Sequence, residues 1–265
     1  MPEKLKIVYS VEPDAAALAR RAAKYFAEKC AAAAAASGRV RIAISGGSTP
    51  KAAFGLLADA AQPWRAQMPW EKLDLWWVDE RCVPPDNADS NYRMTREALL
   101  SKVPLKSEQV HRMEGELDPS DTAARYELEL RNGFGLKDAG LPRFDLLELG
   151  MGPDGHTASL FPHTAALDEK NRLVTANHVE TVKDSWRVTL TQPVINNASD
   201  VFFLIGGADK AQILKEVLLG PRDPKRLPSQ SIAPASGILT LLLDKAAAAL
   251  LPEAGEGAMG TIERI

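Results

Sequence analysis

A histidine directly follows a glycine-rich turn in the segment Asp145–Pro162, which reads DLLELGMGPDGHTASLFP. Imidazole gains and loses a proton near neutral pH, so His156 is a candidate acid or base. Leu146, Leu147 and Leu149 form a short apolar run typical of a buried parallel strand, and ligands of open α/β sheets bind where such strands end. The pattern predicts a strand, a turn that carries His156, and a new helix after it. A lone surface histidine in a tight turn is the competing interpretation.

A second candidate is the segment Ser45–Pro50, SGGSTP, which follows the predicted strand Val40–Ile44. Glycines leave backbone amides free to face an anion, and a proline suits the first turn of a helix. This order of residues predicts a phosphate site, although it is neither a Walker A loop nor a GxGxxG fingerprint. The competing interpretation is a simple helix-capping turn. The candidate phosphate ligands are Gly46, Gly47, Ser48 and Thr49.

A charged triplet, Asp79 to Arg81, ends the predicted strand Leu73–Val78 and opens a polar loop. Charges after an apolar strand need either solvent or partners, and a solvated loop is the common outcome. If the connections are right-handed, however, the triplet lies at the same sheet edge as SGGSTP. Asp79 and Arg81 are therefore candidate site residues.

The elements that must position these residues alternate between strands and helices along the chain. This alternation predicts an α/β fold with an open, mostly parallel, doubly wound sheet. We expect residues 1–265 to form a single domain, with a small lobe inserted around residues 101–144. A helix is predicted over Ala15–Ala36, and an alanine-rich helix after a last strand, Ile238–Leu243.

Composition excludes several classes of function. The 265 residues carry a net charge of −3 with no dominant basic patch, so we expect no nucleic-acid partner. The N-terminus, MPEKLKIVYS, has no signal-peptide pattern, and no apolar run reaches the ~18 residues of a membrane span. The cysteines, Cys30 and Cys82, form no disulfide framework, and the histidines show no metal-ligand spacing. We expect a cytoplasmic protein that binds neither membrane nor metal, as a monomer or weak homodimer.

Five separate blocks lie between about residues 40 and 220, namely SGGSTP, VDERCVPPDNADSNYRM, LGMGPDGHTASLFP, RVTLTQPVINNA and GADKA. In these blocks and in their order, the chain resembles the 6-phosphogluconolactonases. The wider superfamily includes glucosamine-6-phosphate deaminases, in which an Asn-Glu-Pro follows the histidine. Here ASLFP stands instead, as in the lactonases. The chain departs mildly from the family pattern at Pro153 and at Leu241-Leu242-Leu243-Asp244, where many lactonases carry a tryptophan before the Leu-Asp pair.

The resemblance implies hydrolysis of 6-phospho-D-glucono-1,5-lactone to 6-phosphogluconate without metal or cofactor. It implies that His156 is the general base that activates water, oriented by either Asp154 or Asp79, and that Arg81 polarises the carbonyl or holds sugar hydroxyls. Arg187 and Lys210 would neutralise the phosphate. The alternatives are an amino-sugar-phosphate isomerase or deaminase and a non-enzymatic sugar-phosphate sensor. Nucleophilic catalysis by Ser159 is disfavoured because GHTAS is not a Gly-x-Ser-x-Gly elbow.

Overall fold

Nine strands form one large sheet in the computed structural model, which describes residues 5–257 and 259–265. Three further strands form a second, smaller sheet. In chain order, the twelve strands of the described residues are β1 (Leu5–Glu12), β2 (Val40–Ile44), β3 (Leu73–Trp77), β4 (Asp79–Arg81), β5 (Val110–His111), β6 (Leu146–Leu149), β7 (Val174–His178), β8 (Trp186–Leu190), β9 (Val201–Ile205), β10 (Ile238–Asp244), β11 (Ala254–Glu256) and β12 (Gly260–Arg264). The large sheet has the order β11-β12-β1-β10-β9-β6-β2-β3-β5. Its neighbours are parallel except for β11 and β12, which confirms the predicted fold class.

Helices cover both faces of this sheet. They are α1 (Ala15–Ser37), α2 (Ser48–Ala58), α3 (Pro63–Gln67), α4 (Asn91–Ala98), α5 (Pro119–Phe134), α6 (Gln192–Asn196) and α7 (Ala211–Leu219). Short 3₁₀ turns lie at Trp70–Lys72, Leu100–Lys102, Ser107–Gln109, Ala165–Leu167, Ala208–Lys210 and Pro228–Ser231. Among the described residues, none of the helices has the length and apolar character to cross a membrane. Residues 1–4, part of the segment in which we expected no signal peptide, lie outside the described residues.

The local sequence determines where helix α1 begins and ends, and the buried face of this helix forms part of the core. Asp14 caps it by accepting a hydrogen bond from the Ala17 amide at 2.8 Å, and Gly38 ends it in the left-handed conformation. Its buried face packs with α2 and α4 on one side of the large sheet. A second apolar cluster, which includes side chains of α5 and α7, fills the other side. Burial on both faces explains why the central strands are mostly apolar, although β3 contains Asp74 and β6 contains Glu148.

A small antiparallel sheet, β4-β8-β7, lies beside the carboxyl end of β3. It joins the large sheet through Val78, whose amide donates to the Ile44 carbonyl while its own carbonyl accepts from Leu190. The segment 101–144, where we expected an inserted lobe, supplies the edge strand β5 and the helix α5, which packs against β7 and β8. The charged triplet is thus a strand of the small sheet, and this fixes the directions of its side chains.

Three local predictions are wrong. No helix starts after His156, because Ala158 has a positive φ of 48° and Thr157 forms a tight bridge with Leu160. The alanine-rich segment after β10 makes a single capped turn from Asp244 to Ala248 and then loose turns. Alanine favours helix, but so short a stretch cannot repay helix nucleation. β10 is also not the last strand, since β12 pairs with β1.

Candidate active site

Four adjacent strands, β9, β6, β2 and β3, end at one edge of the large sheet and border a cavity of ≈ 370 Å³. The cavity is lined by every predicted site residue except Asp154, namely Gly46, Gly47, Ser48, Thr49, Asp79, Arg81, His156, Arg187 and Lys210. Asp154 lies against His156. The structure therefore brings together residues that lie up to 164 positions apart in the sequence, from Gly46 to Lys210.

The imidazole of His156 is held on two sides. Its Nδ1 lies 2.5 Å from Oδ1 of Asp154, and its backbone amide donates to the same oxygen at 3.1 Å. One ring face stacks on Phe161 with 4.0 Å between the ring centroids. The ring also lies over Gly152, where a Cβ atom would come within 2.1 Å of it. Only glycine leaves room for the imidazole at that position.

The protonation of Asp154 determines which imidazole nitrogen is free. Burial raises the pKa of this carboxyl, but its hydrogen bond to His156 and the charge of His156 outweigh that effect, so the net pKa is lowered. An ionised carboxylate only accepts hydrogen bonds, so Nδ1 of His156 carries the proton that it shares with Asp154. In the neutral imidazole the Nε2 lone pair is then available to accept a proton.

The SGGSTP turn forms the N-terminal end of helix α2, which begins at Ser48. Gly47 has φ 122°, a conformation that L side chains rarely adopt, and no side chain caps the helix in its place. A Cβ atom on Gly46 would lie 1.8 Å from Oδ1 of Asn91, so close approach also requires glycine there. Uncapped amides at the positive end of a helix are suited to a phosphate group.

Asp79 does not contact His156. Its Oδ2 accepts a hydrogen bond from the hydroxyl of Ser159 at 2.6 Å, and its backbone carbonyl accepts from the Asn91 side-chain amide at 3.0 Å. Both Asp79 and Ser159 are buried. The sequence did not show whether Asp79 or Asp154 contacts His156. In the structure, Asp154 is the carboxylate beside His156.

The neighbouring carboxyl, Glu80, fixes the loop that follows. It accepts hydrogen bonds from the Asn91 and Tyr92 amides at 2.7 and 2.8 Å, and from the Ser90 hydroxyl at 3.0 Å. Burial raises its pKa, whereas these backbone donors act in the opposite direction. Glu80 thereby holds the start of α4 against the site.

Two arginines face each other across the small sheet, since Arg81 of β4 stands opposite Arg187 of β8. Burial lowers the pKa of Arg187, and the charge of Arg81 lowers it further. Arg187 also donates to the carbonyls of Lys183 and Asp184, while Arg81 donates to the Asp89 carbonyl at 2.5 Å. Two adjacent guanidinium groups at a cavity favour an anionic ligand.

Lys210 adds a third cation to the cavity lining. It lies in the 3₁₀ turn after Gly206 and Gly207, beyond the carboxyl end of β9. Its ammonium group is 3.2 Å from Asp209, and its side chain is 20% exposed. Arg81, Arg187 and Lys210 therefore line the same cavity as the SGGSTP turn. Within residues 5–257 and 259–265, no group of three or more His, Cys, Asp or Glu side chains is arranged to hold a metal ion.

Sequence reasoning missed Asn91, Glu80 and Phe161 as parts of the site. A usable signal existed for Asn91, because Ser90 before it is a typical N-cap and accepts from the Arg93 amide at 3.1 Å. Nothing local indicated that Glu80 would turn inward to bind the start of that helix. The aromatic stack of Phe161 depends on the turn at Ala158, which the sequence did not predict.

The strand order and the turns at its carboxyl edge define an open, doubly wound α/β protein. The family described as glucosamine-6-phosphate isomerases/6-phosphogluconolactonase matches residues 13–241. A relative from Nostoc sp. named 6-phosphogluconolactonase is 40% identical over 248 residues, which cover 93% of this chain and 99% of the relative. One from Haemophilus influenzae with the same name is 39% identical over 214 residues, covering 80% of this chain and 88% of the relative.

A solved structure shows the same fold. The 6-phosphogluconolactonase from Trypanosoma cruzi superposes with a TM-score of 0.81 at 31% identity, covering 94% of this chain and 98% of that one. The chain belongs to the glucosamine-6-phosphate isomerase/6-phosphogluconolactonase family.

Proposed function

We propose that the protein hydrolyses 6-phospho-D-glucono-1,5-lactone to 6-phosphogluconate, the lactonase step of the oxidative pentose phosphate pathway. Family membership supports this assignment, as do the names of the relatives. The observation that carries it is the Asp154–His156 pair at the cavity lined by the SGGSTP turn. A base and an anion site at one cavity fit a substrate that carries both an ester and a phosphate.

His156 acts as the general base in the proposed reaction. Its Nε2 takes a proton from a water molecule, whose oxygen attacks the lactone carbonyl carbon. The resulting tetrahedral intermediate bears an oxyanion, which Arg81 stabilises. The bond to the ring oxygen then breaks, and the imidazolium returns its proton to that leaving oxygen. The product is the open-chain acid, and no metal or cofactor takes part.

Asp154 holds the imidazole in the required tautomer and stabilises the imidazolium that forms. The 6-phosphate lies against Gly46, Gly47, Ser48 and Thr49, with Arg187 and Lys210 neutralising its charge. Asp79 contributes indirectly, because it fixes Ser159 and Asn91 around the cavity. Its contacts support a positioning role.

The test is the rate at which purified protein opens freshly prepared lactone, with the product read by 6-phosphogluconate dehydrogenase. We expect strong acceleration over spontaneous opening at equal pH and buffer concentration. Glucosamine 6-phosphate serves as the rival substrate, and we expect no ammonia release from it. Lactone opening at the spontaneous rate, or turnover of the amino sugar instead, would contradict the proposal.

The proposal extends to the setting in which the enzyme works. We propose a cytoplasmic, single-domain enzyme whose partner is the sugar-phosphate lactone, with no nucleic acid or membrane involved. A monomer or weak homodimer is the expected state, and light scattering during size-exclusion chromatography tests it.

A further inference from the structure

A buried acid lies between the two turns that form the site. Glu148 belongs to β6, two residues before Gly150, and its side chain is fully buried. Ser45 contacts both of its carboxyl oxygens, since the Ser45 amide donates to Oε2 at 2.8 Å and the hydroxyl lies 2.8 and 2.7 Å from Oε1 and Oε2. Ser45 directly precedes the glycines of the phosphate turn. Glu148 thus joins the phosphate turn to the strand that carries the histidine turn.

Glu148 takes no part in the proposed hydrolysis. It does not line the cavity, and among the described residues its hydrogen-bond partner is Ser45. A buried carboxylate without a cation beside it is costly, so such a group tends to keep its proton. Burial raises the pKa of Glu148 to about 7, the Ser45 donors oppose the rise, and the charge of Asp79 adds to it.

We propose that Glu148 is a positioning residue for the phosphate turn and that an anion bound at this turn favours its protonated form. Anion binding then takes up a proton from solvent onto the Glu148 carboxyl. This inference rests on the phosphate-binding role proposed for Ser45–Pro50. Both protonation states keep Ser45 in place, because a protonated carboxyl can donate to the Ser45 hydroxyl and still accept from its amide.

The charges around Glu148 and Ser45 determine whether a bound anion favours the protonated or the ionised form of Glu148. An anion and an ionised Glu148 repel each other through a buried region of low dielectric, so binding is stronger when Glu148 is neutral. Asp79, the charged neighbour from β4, also disfavours ionisation. Lys210, Arg81 and Arg187 face the same cavity and favour an anion independently of Glu148. His156 lines the cavity as well and favours an anion only when it is protonated. Any test must separate their contribution from that of Glu148.

Sodium sulfate is the probe, because it stays a dianion across the pH range in which the protein titrates. Its affinity is measured by calorimetry at about pH 6 and about pH 8, at constant ionic strength, for wild type and Glu148→Gln. We expect wild-type affinity to fall about 3- to 10-fold more than that of the variant as pH rises. Calorimetry in two buffers of different ionisation enthalpy should show greater proton uptake near pH 7 in the wild type. If sulfate affinity changed equally with pH in wild type and Glu148→Gln, and both proteins took up the same number of protons, anion binding would not be coupled to protonation of Glu148.

The positioning role has its own control. Glutamine keeps an oxygen that accepts from Ser45, whereas Glu148→Leu keeps none. We expect Glu148→Gln to bind sulfate at about pH 6 like wild type and Glu148→Leu to bind about 10-fold more weakly. If the leucine variant bound as tightly as the glutamine variant, Glu148 would not position the turn.

A measurement on the wild-type protein covers the case in which a variant does not fold. Sulfate added near neutral pH should increase the protonated-carboxyl band in infrared difference spectra, and no increase would contradict the proposal. Absence of sulfate binding would overturn both the inference and the anion site. The lactone assay measures turnover and is independent of the sulfate experiments. If the protein bound sulfate with the expected proton uptake but did not open the lactone, the proposed reaction would be wrong and the inference about Glu148 would stand.

Discussion

Asp154 holds His156 through one carboxylate oxygen, which accepts from the backbone amide at 3.1 Å and lies 2.5 Å from the ring Nδ1. The turn from Asp154 to His156 therefore fixes both the backbone and the imidazole ring of His156. Phe161 limits ring rotation from one face, with 4.0 Å between the centroids. The imidazole is thus oriented before any substrate arrives, as a general base requires.

Replacing Asp154 by asparagine should lower kcat about 10- to 100-fold with little change in KM. The amide can donate to Nδ1 and so stabilise the wrong tautomer, and it cannot stabilise the imidazolium. Steady-state kinetics with the lactone measure the effect. Asp168→Asn is the matched control, because Asp168 is an exposed acid whose partner, Lys225, lies 3.4 Å away. Equal kcat values for the two variants would remove Asp154 from the mechanism.

Ser159→Ala should reduce kcat by no more than about 10-fold. The Ser159 hydroxyl is buried and donates to Asp79 at 2.6 Å. We therefore expect it to organise the cavity wall and not to attack the carbonyl. Stopped-flow measurements should show no burst of covalent intermediate in the wild type. A loss of several orders of magnitude in the variant, or such a burst, would indicate a serine nucleophile.

Lys210→Ala should raise KM about 10-fold or more, with a smaller effect on kcat. Lys210 lines the cavity. Under the proposed mechanism its ammonium group neutralises the substrate phosphate in both the ground and the transition state. Lys215→Ala, an exposed lysine on the neighbouring helix α7, is the control and should behave as wild type. If Lys210→Ala changed kcat alone, the lysine would be acting on the reaction centre and not on the phosphate.

Much of the fold was predictable from the sequence because its signals are local. Apolar runs identified the central strands, and the chemistry of the Ser45–Pro50 and Gly150–His156 turns is contained within each turn. The strand β12 was missed because its pairing with β1 depends on residues at the other end of the chain. The missing helix after His156 depends on the positive φ of Ala158, for which alanine gives no warning.

The site was predictable as a set of residues but not as a set of contacts. Strand ends indicated which residues would share an edge, and nine of the predicted residues line one cavity. The choice between Asp79 and Asp154 depends on where β4 places its side chains, and so on its pairing with β8. The same pairing sets Arg81 opposite Arg187, which neither segment shows alone.

His111, which does not line the cavity, should make the free energy of unfolding depend on pH. Its ring stacks on Trp76 at 3.8 Å and lies 2.7 Å from Glu129 and 3.9 Å from Asp74. Burial lowers the pKa of His111, but both carboxylates outweigh it and the net pKa is raised. The stabilisation is therefore fully present below the unfolded value of ~6.5 and is lost as pH rises through the higher folded value.

Urea unfolding of wild type and His111→Gln measures this effect. We expect the wild type to lose about 1 kcal/mol more than the variant between about pH 6 and about pH 9. Glu129→Gln removes one partner of the histidine and should reduce the difference. Identical pH dependence in wild type and His111→Gln would show that the histidine does not titrate differently on folding.

The central claim is that His156 moves the proton during lactone hydrolysis, and kcat of His156→Ala tests it most directly. The variant keeps the phosphate turn and its flanking cations, so it should bind 6-phosphogluconate nearly as tightly as wild type. We predict that its kcat for the lactone, corrected for spontaneous opening, falls about 10²- to 10⁴-fold. Wild-type turnover by His156→Ala would contradict the assignment of His156 as the general base.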